Sequence, residues 1–235
     1  MPAIRGFFQI FHQFYPDLLK VIIAILNYID TAAPLLTLLF FIKPFRQLAK
    51  ELRYVFWFVC IQFATNFTAV IMEKVFLATN YSVYVLNVVL SFMILSALFY
   101  HLKIELIKKL MPVTSLGFIV FAVFSTAKGD GIATFNSMLS AISSFVITAY
   151  CLIFFYWRLV RDTRSSGLTE NSLFWIIIGI FTYYTGSFFI FISYKYLIAK
   201  EFDSVSILWR FQNVLLTIFC IYTIYGLTCK DYRKT

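Results

Sequence analysis

Charge is what this chain has least of. Asp, Glu, Lys and Arg together make up 13% of its 235 residues, about half the share usual for a soluble domain. So few charges cannot cover a water-facing shell, because a soluble fold of this size still exposes much of its surface. Histidine is nearly missing. His12 and His101 are the only two, expected near opposite membrane surfaces, which excludes a bis-histidine haem. No HExxH and no His/Asp cluster occurs, so an intramembrane zinc hydrolase is excluded as well. No GxSxG turn supplies a serine nucleophile. No Lys lies within Ile207–Tyr225, where a seven-helix retinal protein would form its Schiff base. The four cysteines contain no CxxC, which speaks against a structural metal. Cys60, Cys151 and Cys220 fall in apolar runs and Cys229 in the basic tail, so an extracellular disulfide is not expected. This inventory predicts a protein that is not an enzyme and carries no cofactor.

What the chain has instead is apolar surface. Hydrophobic residues make up 61% and the mean hydropathy is +0.85, so the expected fold is an all-α integral membrane bundle. A bilayer core needs about 20 apolar residues in helical form. Seven stretches qualify: Leu18–Ile42, Tyr54–Lys74, Tyr81–Tyr100, Met111–Ala127, Phe135–Trp157, Ser172–Tyr196 and Ser206–Leu227. The predicted organisation is an arm over 1–17, a seven-transmembrane-helix domain over 18–227 and a short basic tail over 228–235. In the arm, Phe7, Phe11, Phe14 and Leu18 recur at helical spacing, with Arg5, Gln9 and His12 on another face. That pattern predicts an amphipathic helix lying in the interface, not a signal peptide.

The net charge of +9 sits in collars between the apolar runs, where it sets orientation and meets anionic headgroups of the lipid bilayer. No Gly-rich phosphate loop or aromatic–basic RNA module accompanies it, so nucleic acid is not an expected partner. Thirteen of the 20 Lys and Arg residues fall on one side, among them Lys43, Arg53, Lys103, Arg158, Arg161 and Lys230. Positive charge is retained in the cytoplasm, so the amino terminus is predicted outside and the carboxyl terminus inside.

A few hydrophilic residues interrupt the spans, and each needs a partner, a cavity or a route to water. Asp30 is 12 residues from either end of the first span, about 18 Å from each surface at 1.5 Å per residue, too deep to snorkel. Asn27 lies nearly one turn before it. Pro34, four residues after, removes the helix bond to the Asp30 carbonyl and predicts a kink. Asp30 reads equally as a site or proton-relay residue and as a neutral structural hydrogen-bonder. Gln62, Asn66 and Glu73 form one helical stripe, and Arg210, Asn213 and Thr217 form another with Gln212 beside it. Glu73 and Arg210 fall near one surface, where they could pair or reach water separately, and Asn87 lies at similar depth. Gly179, Thr182 and Gly186, with Tyr183 and Tyr184 beside them, and Ser140, Ser144 and Thr148 have the spacing of close helix packing. The candidate polar core is therefore Asn27, Asp30, Gln62, Asn66, Glu73, Asn87, Tyr183, Tyr184, Arg210 and Asn213.

In the last two spans, Phe174–Trp175, Gly179, Tyr184 and Gly186 are followed by Trp209, Asn213 and Gly226. This pattern resembles uncharacterised seven-helix inner-membrane proteins of Bacteroidota, some of whose relatives look like sensor regions coupled to histidine kinases. The resemblance implies a bacterial inner membrane and a sensory or accessory role, and it supplies no catalytic residues. The expectation is a stand-alone sensor or receptor-like module with a polar pocket in its outer half. Such a module would bind a small-molecule ligand and act through a separate cytoplasmic signalling protein. The alternatives are a small proton-coupled carrier using Asp30, and a membrane scaffold or effector subunit.

Overall fold

The computed structural model describes residues 16–42, 45–128, 135–161, 171–199 and 205–229. The predicted interfacial arm, all but its last two residues, and most of the basic tail lie outside the described residues. Seven α-helices account for nearly all of the rest. They are α1 (Pro16–Ile42), α2 (Lys50–Lys74), α3 (Tyr81–His101), α4 (Glu105–Lys128), α5 (Ser137–Arg161), α6 (Ser172–Ala199) and α7 (Val205–Thr228). The helices α2 to α7 are long and apolar enough to cross a membrane, and the described part of α1 adds a shorter apolar stretch, Tyr28–Ile42. The chain is a multi-pass helical membrane protein.

The helix ends have local causes. Asn136 caps α5: its Oδ1 accepts from the Leu139 N–H at 3.1 Å, and its Nδ2 donates to Ser125 Oγ of α4 at 2.6 Å. Asn171 caps α6 in the same way, accepting from the Phe174 N–H at 3.1 Å. Both amides satisfy N–H groups that a helix start leaves without partners. The helix α3 ends where Lys103 turns left-handed, at φ 58°. The helix α4 begins at Glu105 instead of the predicted Met111, because the charged turn before Met111 is helical although it is not apolar.

Packing follows chain order with one exception. The helix α1 packs on α2 and α7, α2 on α3, α3 on α5, α5 on α6, and α6 on α7, so six helices close a ring. The helix α4 lies outside it, against α3 and α5. Its Phe118 ring stacks on Phe92, with centroids 4.0 Å apart, and Thr114 hydrogen-bonds the Tyr150 hydroxyl. Val113, Leu116, Val120 and Val123 form its exposed stripe, which suits lipid.

Within the ring the two halves differ. Towards the end bearing the α3–α4 connection, Phe58, Leu95, Phe99, Ile147, Ile177 and Phe219 are fully buried. Phe58 meets Phe219 edge-on at 5.2 Å and lies 6.2 Å from the Tyr184 ring. This half is closed by interlocked rings and aliphatic chains. The half towards the α2–α3 connection is polar.

Candidate functional site

The polar half begins with a broken hydrogen bond. Pro34 has no N–H to give the Asp30 carbonyl, and α1 runs through it unbroken. Asn66 of α2 takes over: its Nδ2 donates to the Asp30 carbonyl at 2.7 Å. From the opposite side, Asn213 Nδ2 of α7 donates to the Leu26 carbonyl at 2.9 Å. The backbone of α1 is thus held between two amides around Asp30. Its carboxylate accepts from Thr31 Oγ1 at 3.3 Å.

Two further polar pairs join neighbouring helices. Gln62 Nε2 donates to Asn87 Oδ1 at 3.2 Å and to Ser91 Oγ at 2.9 Å, joining α2 to α3, and Ser91 Oγ donates to Asn87 Oδ1 at 3.0 Å. Ser187 and Gln212 join α6 to α7: the hydroxyl donates to Gln212 Oε1 at 3.0 Å, and Gln212 Nε2 lies 2.9 Å from the same Oγ. Each buried amide so has partners, as a low-dielectric interior requires.

These groups surround a chamber of about 70 Å³ on the axis of the ring. A single water needs about 10–15 Å³, so the chamber has room for several waters or a small polar molecule. All six ring helices line it: Asp30 from α1, Gln62 and Asn66 from α2, Asn87 and Ser91 from α3, Ser140 and Ser144 from α5, Tyr183 and Ser187 from α6, Gln212 and Asn213 from α7. Tyr183 and Tyr184 form its floor over Phe58. A wider vestibule of about 530 Å³ lies outside it, lined by Tyr28, Glu73, Lys74, Tyr81 and Arg210 among others. Asp30, Tyr84, Trp209 and Asn213 line both spaces and therefore form the mouth between them.

Of the predicted polar core, Asp30, Gln62, Asn66, Asn87, Tyr183, Tyr184 and Asn213 come together on the chamber wall. Glu73 and Arg210 line the vestibule instead, and Glu73 forms an exposed ion pair with adjacent Lys74 at 3.2 Å. The Asn27 side chain lies outside the described residues. The serines of α5 do more than their spacing suggested: Ser140 and Ser144 face the chamber, and so does Ser143. Gly179 and Gly186 do meet α7 as close-packing residues, one against Tyr222 and Phe219, the other against Leu215. Sequence reasoning missed Tyr84 and Ser91, although both share a helical stripe with Asn87. It named Trp209 only in the pattern that carries the resemblance, not as a residue of the polar core. Among the described residues no three His, Cys, Asp or Glu side chains come together as metal ligands.

The architecture defines a class, a helical membrane bundle with a polar chamber on its axis and an opening at one end. No protein family, no characterised protein and no solved structure matches this chain.

Proposed function

We propose that the chain is a seven-span receptor or sensor module, oriented amino terminus outside, that admits a small polar solute from outside and signals through a separate cytoplasmic partner. The observation that carries this reading is the mouth. Four residues from three helices line both chamber and vestibule, while Phe58, Leu95 and Phe219 close the opposite half. A binding site of this kind is concave, buried and furnished with a few convergent polar groups. The excess of Lys and Arg at the closed end favours placing the vestibule outside. The resemblance of the last two spans to sensor-like inner-membrane proteins favours a bacterial inner membrane.

The test is thermal unfolding of the full chain in lipid nanodiscs against a panel of small amines, amino acids, carboxylates and sugars. At least one solute is expected to raise Tm saturably, and Ser144→Val, which fills the chamber, is expected to abolish that rise. A panel without effect, or a rise that survives Ser144→Val, would overturn the reading. The rival reading is a proton-coupled carrier, favoured by the place of Asp30 at the mouth. It predicts solute flux in proteoliposomes that is lost in Asp30→Asn, and the receptor reading predicts none.

A further inference from the structure

The chemistry of the mouth narrows the ligand class, an inference that rests on the chamber being a binding site. Among the described residues that line the chamber, Asp30 is the only one with a charged side chain. Lys74 and Arg210 line only the vestibule, where Glu73 already lies 3.2 Å from Lys74. An ionised carboxylate at membrane depth needs a counter-charge, and the described residues of the chamber wall supply none.

The amides around Asp30 have a fixed orientation. A backbone carbonyl can only accept, so the atoms of Asn66 and Asn213 that meet α1 must be their nitrogens. That orientation leaves their Oδ1 atoms as acceptor groups on two residues that line the same chamber as Asp30. At the same place stand the rings of Tyr84 and Trp209, with centroids 5.4 Å apart, and Phe135 packs 5.0 Å from Trp209. Aromatic faces attract cations through their quadrupole. Acceptors with one negative charge, backed by aromatic rings, complement a cation that has several N–H donors and a short apolar body. A bare metal ion would make no use of the rings, and a quaternary ammonium would make no use of the acceptors.

We propose that the mouth binds a small primary alkylammonium ion, with its N–H groups taken by the Asp30 carboxylate and the amide oxygens of Asn66 and Asn213, and its charge faced by Tyr84 and Trp209. The alkyl body lies in the chamber.

The experiment uses the full chain in nanodiscs at constant ionic strength. The probes are methyl-, ethyl-, n-propyl- and n-butylammonium chloride, with sodium chloride, n-propanol and sodium propionate as comparisons. At least one alkylammonium is expected to raise Tm saturably. Asp30→Asn, close in shape, is expected to weaken its apparent affinity about tenfold or more, as loss of a charge-assisted pair does. Trp209→Leu is expected to weaken it while Trp209→Phe retains most of it, and this contrast decides the matter should Asp30→Asn fail to fold. An equal rise with sodium chloride alone, or one unchanged in Asp30→Asn, would overturn the proposal. Saturable binding of propanol or propionate, lost in Ser144→Val, would overturn the ammonium assignment and leave the chamber as a binding site. No response to any of these probes would overturn the ammonium proposal, and the receptor reading would then stand or fall with the amino acids and sugars of the wider panel.

Discussion

Asn66 matters because Pro34 does. The proline leaves the Asp30 carbonyl without its helix partner, and the Asn66 amide fills that place at 2.7 Å. The two residues are therefore coupled in energy. Asn66→Leu in the native background leaves a carbonyl unpaired in a low-dielectric interior, and should destabilise the fold by about 1–3 kcal/mol. With Pro34→Ala the helix bond returns, and the same change should cost clearly less. A double-mutant cycle read by unfolding should give a coupling of about 1 kcal/mol or more, and additive effects would show that the bond carries no stability. Half of this was legible in the sequence: the proline and the freed carbonyl lie four residues apart. The other half was not, because the partner is 36 residues away and no local pattern names it. The same limit applies to Gln62, whose spacing marked it as polar but not as a partner of Ser91.

At the scale of the helices, apolar length alone located the α-helices of the described residues to within a few residues, except the start of α4 at Glu105, because a bilayer span is long and its composition is unlike that of its connections. Small-residue spacing was harder to interpret. It has the same period whether the stripe faces another helix or a cavity, so Ser140 and Ser144 read as packing residues while Gly179 and Gly186 truly are. The glycines yield an ordered prediction. A methyl group at Gly226 would stand 2.8 Å from the Ser172 carbonyl oxygen, and one at Gly179 would stand 2.9 Å from Tyr222 Cβ and 3.2 Å from the Phe219 carbonyl oxygen. Neither neighbour can turn away. At Gly186 the neighbours are the mobile ends of Leu215, and at Gly117 there is open space. Alanine should therefore destabilise at 226 and 179 by about 1–3 kcal/mol and less at 186. At 117 it should stabilise by up to about 1 kcal/mol through helix propensity. Melting temperatures of the four single variants check the order, and equal effects at 117 and 226 would contradict the packing described.

Among the described residues the molecule is a ring of six α-helices with a seventh outside. That arrangement was not legible, since chain order does not say that α5 closes on α3 and leaves α4 at the edge. The consequence is measurable: Leu95→Ala, within the ring, should cost about 2–5 kcal/mol, whereas Val120→Leu on the lipid stripe of α4 should change stability by less than about 0.5 kcal/mol. The central claim is that the axis of the ring is hydrated from one end only. Side-resolved thiol labelling tests it most directly, with single cysteines in a background free of Cys60, Cys151, Cys220 and Cys229. Glu73→Cys and Lys103→Cys mark the two faces, Ser144→Cys the chamber and Leu95→Cys the closed half. A small membrane-impermeant thiol reagent should reach Ser144→Cys from the Glu73 face alone and leave Leu95→Cys unmodified from both. Labelling of Ser144→Cys from the Lys103 face, or from neither, would contradict the account.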